Sequence, residues 1–140
     1  MDTLYSYTKM ISKIIGHSHF TSDEELQRAA HTLNLDILIL SRNEFLKHNF
    51  KPGELIIANT NNHGDKIGHW VSVYVVSKNK KYMFDSDGYD YYSLFKQNLN
   101  KLGKETTKRY QRMEQELCGH LALAWLLMTK TKPKKEWMNL

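Results

Sequence analysis

Cysteine and proline are scarce in this chain, with one Cys and two Pro in all. A single cysteine, Cys118, excludes an internal disulfide and any CxxC redox pair. Metal fingers need Cys/His pairs at short spacing, which seven scattered histidines do not offer, so neither a metal nor another cofactor is expected. No apolar run approaches the ~18 residues of a membrane span. The N-terminus also lacks a charged-then-apolar pattern before a small-residue cleavage site, so neither a membrane anchor nor secretion is expected. What is present is ordinary for one globular domain over residues 1–140, with 41% hydrophobic and 25% charged residues. At that length a core can form without disulfides or a structural metal.

Twenty Lys and Arg against fifteen Asp and Glu leave a net charge of +5, and the excess is clustered. Lys78, Lys80 and Lys81 form one group, Lys101, Lys104, Lys108, Arg109 and Arg112 a second, and Lys130, Lys132, Lys134 and Lys135 a third. Such a balance permits non-specific attraction to DNA or another polyanion without requiring it, because a solvated lysine-rich surface has the same composition.

Leu4, Tyr7, Ile11, Ile14 and Ile15 recur at helical spacing and stop at Gly16, which predicts a first helix with a glycine C-cap. Ser22 followed by Glu25 is a capping box ahead of an apolar stripe, so a second helix is predicted from Asp23 to Leu33. Ile37–Leu40 and Leu55–Ala58 read as short buried strands. His69–Val76 and Lys80–Phe84 read as a hairpin joined by Ser77-Lys78-Asn79. The spacing from Tyr91 to Leu102 predicts a further helix stopped by Gly103, and Thr106–Gln111 is β-compatible. Leu121–Met128 is apolar on every side, the mark of a helix buried in the domain, and the Lys-rich end from residue 130 is expected to be a frayed tail. The fold class is therefore α+β: a mainly antiparallel central sheet packed against helices, with Cys118 at the N-terminus of the buried one.

That position bears on chemistry. The positive end of the helix dipole favours a thiolate, the form that attacks carbonyls, and Gly119 allows close backbone approach for oxyanion binding. A thiolate needs a base. His69 opens a strand and is followed by Trp70, whose ring suits the wall of a substrate groove, whereas His120 lies two residues from Cys118 and faces another side of the helix. In the hairpin, a three-residue loop would pair Val76 with Lys80, Val71 with Asp85 and His69 with Asp87. Both acids then point to the His69 face, Asp87 directly opposite and Asp85 on the diagonal. Asp85 is preferred because it follows the apolar strand end Met83-Phe84, while Asp87-Gly88 has turn chemistry.

The segments Gly68-His69-Trp70-Val71, Tyr82-Met83-Phe84-Asp85-Ser86-Asp87-Gly88, and Tyr110-Gln111 seven residues ahead of Cys118-Gly119 together resemble the adenovirus-type cysteine proteases. The likeness is greatest to those of Maverick/Polinton-like elements and related DNA viruses, which share a clan with the SUMO-specific proteases. It covers about residues 50 to 127. It implies Cys118 as nucleophile, His69 as base, Asp85 as the acid orienting the imidazole and Gln111 as an oxyanion donor. Gln115, three residues before Cys118, competes for the last role. It also implies a polypeptide substrate cut after small, glycine-type residues in viral capsid or core precursors, a protein of the virion and infected cell, and DNA or a peptide as possible activator. Where the family often carries a second cysteine in CGxxC, this chain has Ala122, so no disulfide to an activating peptide forms through that position. A SUMO- or ubiquitin-type isopeptidase, an acyltransferase on the same fold and an inactive peptide- or DNA-binding module remain as alternatives.

Overall fold

The computed structural model describes residues 2–16, 21–60, 69–86, 102–104 and 117–138. Helix α1 (Asp2–Ile15) buries Leu4, Ile11 and Ile15, a stripe on one face. It stops at Gly16, whose φ of +81° is the left-handed conformation that closes a helix, with the Gly16 N–H donating to the Ser12 carbonyl. Helix α2 (Asp23–Thr32) begins at the predicted capping box, in which Ser22 Oγ accepts from the Glu25 N–H and Glu25 Oε1 from the Ser22 N–H. Ser41 and Glu44 repeat that device and start a short helix α3 (Arg42–Lys47) that the apolar pattern does not reveal.

Among the described residues five strands form one sheet in sequential order: β1 (Leu38–Leu40), β2 (Leu55–Asn59), β3 (Trp70–Ser77), β4 (Lys80–Phe84) and β5 (Leu102–Lys104). The expectation of a mainly antiparallel sheet is corrected here to a mixed one. β2–β3 and β3–β4 are antiparallel, but β1 lies parallel to β2 and β5 parallel to β4. Short apolar strands carry no signature of direction. The connection decides it, and residues 41–54, which hold α3, provide the dozen or more residues that a parallel crossover needs.

Alternation along the strands sends Leu55, Ile57, Tyr82 and Phe84 into a core shared with α1, α2 and helices α4 (Cys118–Thr131) and α5 (Lys134–Met138). Ile56, Ala58, Val71, Val73, Val75 and Met83 face the other way, onto Phe45 and Phe50. Gly119 to Met128 of α4 are all buried, as the uniformly apolar sequence requires. With each buried Leu worth roughly 1.5–3 kcal/mol, such a helix has no stable place on a surface.

Three local expectations fail for identifiable reasons. Leu102 and Gly103 belong to β5, paired with β4, and not to the end of a helix: backbone pairing at a sheet edge overrides local periodicity. The predicted helix from Tyr91 onward and the β-compatible Thr106–Gln111 lie outside the described residues. The Lys-rich end is not frayed as far as Met138, because Trp137 is buried edge-on against Trp125, Tyr74 and Tyr82, and its carbonyl accepts from Trp125 Nε1. Finally, Lys81 does not join a surface basic group. It is 1% exposed, its ammonium donates to the Lys78 carbonyl and lies over the Phe50 ring, and burial lowers its pKa. No described helix is long and apolar enough to cross a membrane.

Candidate active site

The antiparallel β3–β4 pair brings the start of one strand beside the end of the other. Ser72 faces Phe84, and the same register continued puts Val71 opposite Asp85. The predicted three-residue loop is in fact a two-residue turn at Lys78-Asn79, closed by Ser77 facing Lys80. A bulge at Val76 absorbs the extra residue, so the pairing from Val75 with Lys81 onward is as expected from the sequence. Phe84 stacks on Trp125 of α4 at 5.7 Å and 10°, which fixes the strand end from which Asp85 projects. His69 is tied to the end of β2 in both directions: its N–H donates to Thr60 Oγ1 at 3.0 Å, and the Thr60 N–H donates to its carbonyl at 2.9 Å.

From these two anchored backbones the side chains meet. His69 Nε2 lies 2.5 Å from Asp85 Oδ1, with the two side chains 10% and 3% exposed. With Nε2 engaged by Asp85, Nδ1 is the nitrogen that would serve Cys118, and the interaction of that side chain with the ring favours the charged imidazole. Cys118 is the first residue of α4, following an N-cap at Leu117 that has no side-chain capping bond. Helix geometry leaves the first-turn amides without intrahelical partners, so N–H groups converge where the thiol sits. The Trp70 N–H adds one more donor, pointing at Cys118 Sγ from 3.5 Å. Cys118 is only partly buried and can meet a reagent.

Burial of the His69 ring opposes its positive charge. The hydrogen bond to Asp85 and that to Cys118, followed by the charges of Cys118 and Asp85, outweigh burial and push the pKa up to about 10. The ring is then an imidazolium at neutral pH, beside the Cys118 side chain. Because the folded pKa lies above the unfolded value of 6.5, the stability contributed by this cation is complete below about pH 6.5 and is lost as the pH rises through about 10.

Asp85→Asn removes charge from this arrangement and leaves the burial that lowers the His69 pKa. The alkaline limb of turnover, where the imidazolium that would protonate the leaving amine is lost, is therefore expected to move to lower pH, and turnover to fall by roughly 10-fold or more. A pH–rate profile of the variant checks both. Asp87→Asn should leave both near wild type, and a larger loss there would transfer the orienting role to Asp87, which lies outside the described residues together with Gln111 and Gln115.

Trp70 and Gly119, expected to serve substrate binding, meet each other. The half-buried Trp70 ring donates through Nε1 to the Thr21 carbonyl at 2.9 Å. A methyl group placed on Gly119 would come 3.0 Å from Thr21 Cβ and 3.2 Å from Trp70 Cδ1, so this position tolerates only glycine without movement. His120 turns away from Cys118, as its spacing implies, and is fully buried with Nε2 2.7 Å from the Gly16 carbonyl and Nδ1 3.3 Å from Thr21 Oγ1. Thr21, Thr60 and the burial of His120 carry no sequence signal, since a threonine in a connection and a histidine in a helix are unremarkable until the chain folds. Comparison with family models, curated proteins and solved structures yields no match, so the chemistry of this site stands on its own geometry.

Proposed function

We propose that the protein is a cysteine endopeptidase that cuts viral structural precursors after small, glycine-type residues. The observation that carries this reading is the convergence of Cys118, His69 and Asp85 at one end of the sheet, with His69 Nε2 on Asp85 Oδ1 and the N–H of the next residue, Trp70, on Cys118 Sγ. In the reaction, Cys118 Sγ attacks the scissile carbonyl carbon. The oxygen takes the charge, held by first-turn amides of α4 and by the Gln111 side chain in its proposed role. Nδ1–H of His69 then protonates the leaving amine as the C–N bond breaks, which leaves a thioester. The now neutral His69 takes a proton from water, whose hydroxide displaces the thiolate and releases the acid. Asp85 keeps the ring aligned through both transfers.

Isopeptidase and acyltransferase readings share the thioester and differ in substrate or final acceptor. Incubation with a library of linear peptides, followed by mass spectrometry of the ends produced, separates them. Cleavage on the carboxyl side of glycine or another small residue is the expected result. Thioester formation without release of free acid would overturn the endopeptidase reading in favour of acyl transfer.

DNA binding without sequence preference belongs to the same proposal. Lys80 of β4 and Lys134 of α5 both stand over the Tyr82 ring, at 5.7 and 5.2 Å, so two of the basic groups separated in sequence adjoin in space. Affinity for duplex DNA is expected to fall roughly 10-fold or more between about 50 and 200 mM salt through counterion release. A flat dependence in a titration by fluorescence anisotropy would reject DNA as partner or activator.

A further inference from the structure

We infer that Thr21 and His120 are positioning residues that hold the Cys118 helix in register with the His69 strand; this rests on the proposed function. The alignment of nucleophile and base depends on two elements, α4 and β3, that are 48 residues apart where they touch at Cys118 and Trp70. Thr21, just ahead of α2, ties the two together. Thr21 is 6% exposed and reaches both sides: its carbonyl accepts from the Trp70 indole of β3, and its hydroxyl meets His120 of α4.

The chemistry of the bonds gives each atom its role. A carbonyl only accepts, so His120 Nε2 carries a hydrogen and donates it to Gly16. When the ring is neutral, Nδ1 accepts and the Thr21 hydroxyl donates. The imidazole thereby bridges Gly16, at the end of α1, and Thr21, at the entry to α2, both onto the first turn of α4. Close packing completes the joint, since a methyl group on Gly119 would lie 3.0 Å from Thr21 Cβ and 3.2 Å from Trp70 Cδ1 and force both to shift. Slack in this joint would let the first turn of α4 slide against the start of β3. A displacement of about 1 Å between reacting groups is enough to cost ~100-fold in rate.

The test reads thiol activation and not only proteolysis. Cys118 is the sole cysteine, so its alkylation by iodoacetamide at about pH 6, where an ordinary thiol is nearly unreactive, reports its pairing with His69. Wild type is expected to react ~10-fold or more faster than His69→Ala. Thr21→Val, which keeps the shape and removes the hydroxyl, should fall by about the same ~10-fold, and Thr21→Ser should restore most of the rate. His120→Gln carries the test from the helix side, so the inference stays open to refutation if Thr21→Val fails to fold. Thermal unfolding identifies which variants are native. For native variants the loss should fall on kcat with KM little changed; because a smaller folded fraction would lower apparent kcat in the same way, rates are compared well below each variant's unfolding transition and alongside the alkylation rate. Native Thr21→Val and His120→Gln that alkylate at the wild-type rate would overturn the inference and leave the proposed function standing. A wild type no faster than His69→Ala would overturn the proposed function and, with it, this role for Thr21 and His120.

Discussion

Cys118→Ala is expected to abolish peptide cleavage, and His69→Ala to remove all but a trace, each a loss of at least ~10,000-fold in kcat. The two effects are not independent. In the proposed reaction Sγ attacks as a thiolate, and the imidazolium beside it is also the acid that releases the amine. Either change therefore removes the same unit, and Cys118→Ala with His69→Ala should be hardly worse than Cys118→Ala alone. Both variants should still fold, since Cys118 is only partly buried and His69 keeps its backbone bonds to Thr60. Removing His69 also leaves Asp85, 3% exposed, without its imidazolium partner, so a lower melting temperature is expected for His69→Ala and not for Cys118→Ala. Steady-state turnover combined with calorimetry checks all of this. Substantial cleavage by native Cys118→Ala would end the cysteine-protease proposal, because no other cysteine can substitute.

Gln111→Ala is expected to lower turnover by ~100-fold or more while leaving alkylation of Cys118 nearly unchanged. An oxyanion donor acts on charge that develops after attack, so it affects the tetrahedral intermediate and not the resting thiolate. With α4 starting at Cys118, the seven-residue interval from Gln111 is long enough for the chain to turn back over the helix start. The three-residue interval from Gln115 is short for such a return. Gln115→Ala is accordingly expected to change neither readout. A loss confined to Gln115→Ala would move the role to that residue, and small equal losses would make both glutamines ordinary surface groups.

Elements whose signal is local were legible in the chain. The Ser22/Glu25 capping box and the stop at Gly16 specify helix ends through bonds that span three or four residues, and α1 and α2 end within a residue of expectation. The uniformly apolar run after Cys118 could only be a buried helix. The hairpin register followed from counting, since the bulge at Val76 compensated for the shorter turn. From that count Asp85 and Asp87 were equally admissible. Strand twist and the anchoring of Phe84 on Trp125 are three-dimensional, and in the fold it is the diagonal Asp85 that bonds His69.

Composition and periodicity, then, determined an α+β chain with a buried helix behind its only cysteine and a strand that begins within a residue of His69. They determined this because helix capping, alternation and apolar periodicity act between residues a few positions apart. Tertiary structure alone decided strand direction, the pairing of Leu102–Lys104 with β4 and the docking of Trp137, since each depends on partners far along the chain. It also turned Lys81 from a surface charge into a buried one and joined Thr21 to His120 across 99 residues. Contacts of that kind form only when distant segments are packed together, and no local pattern of residues encodes which of them will meet.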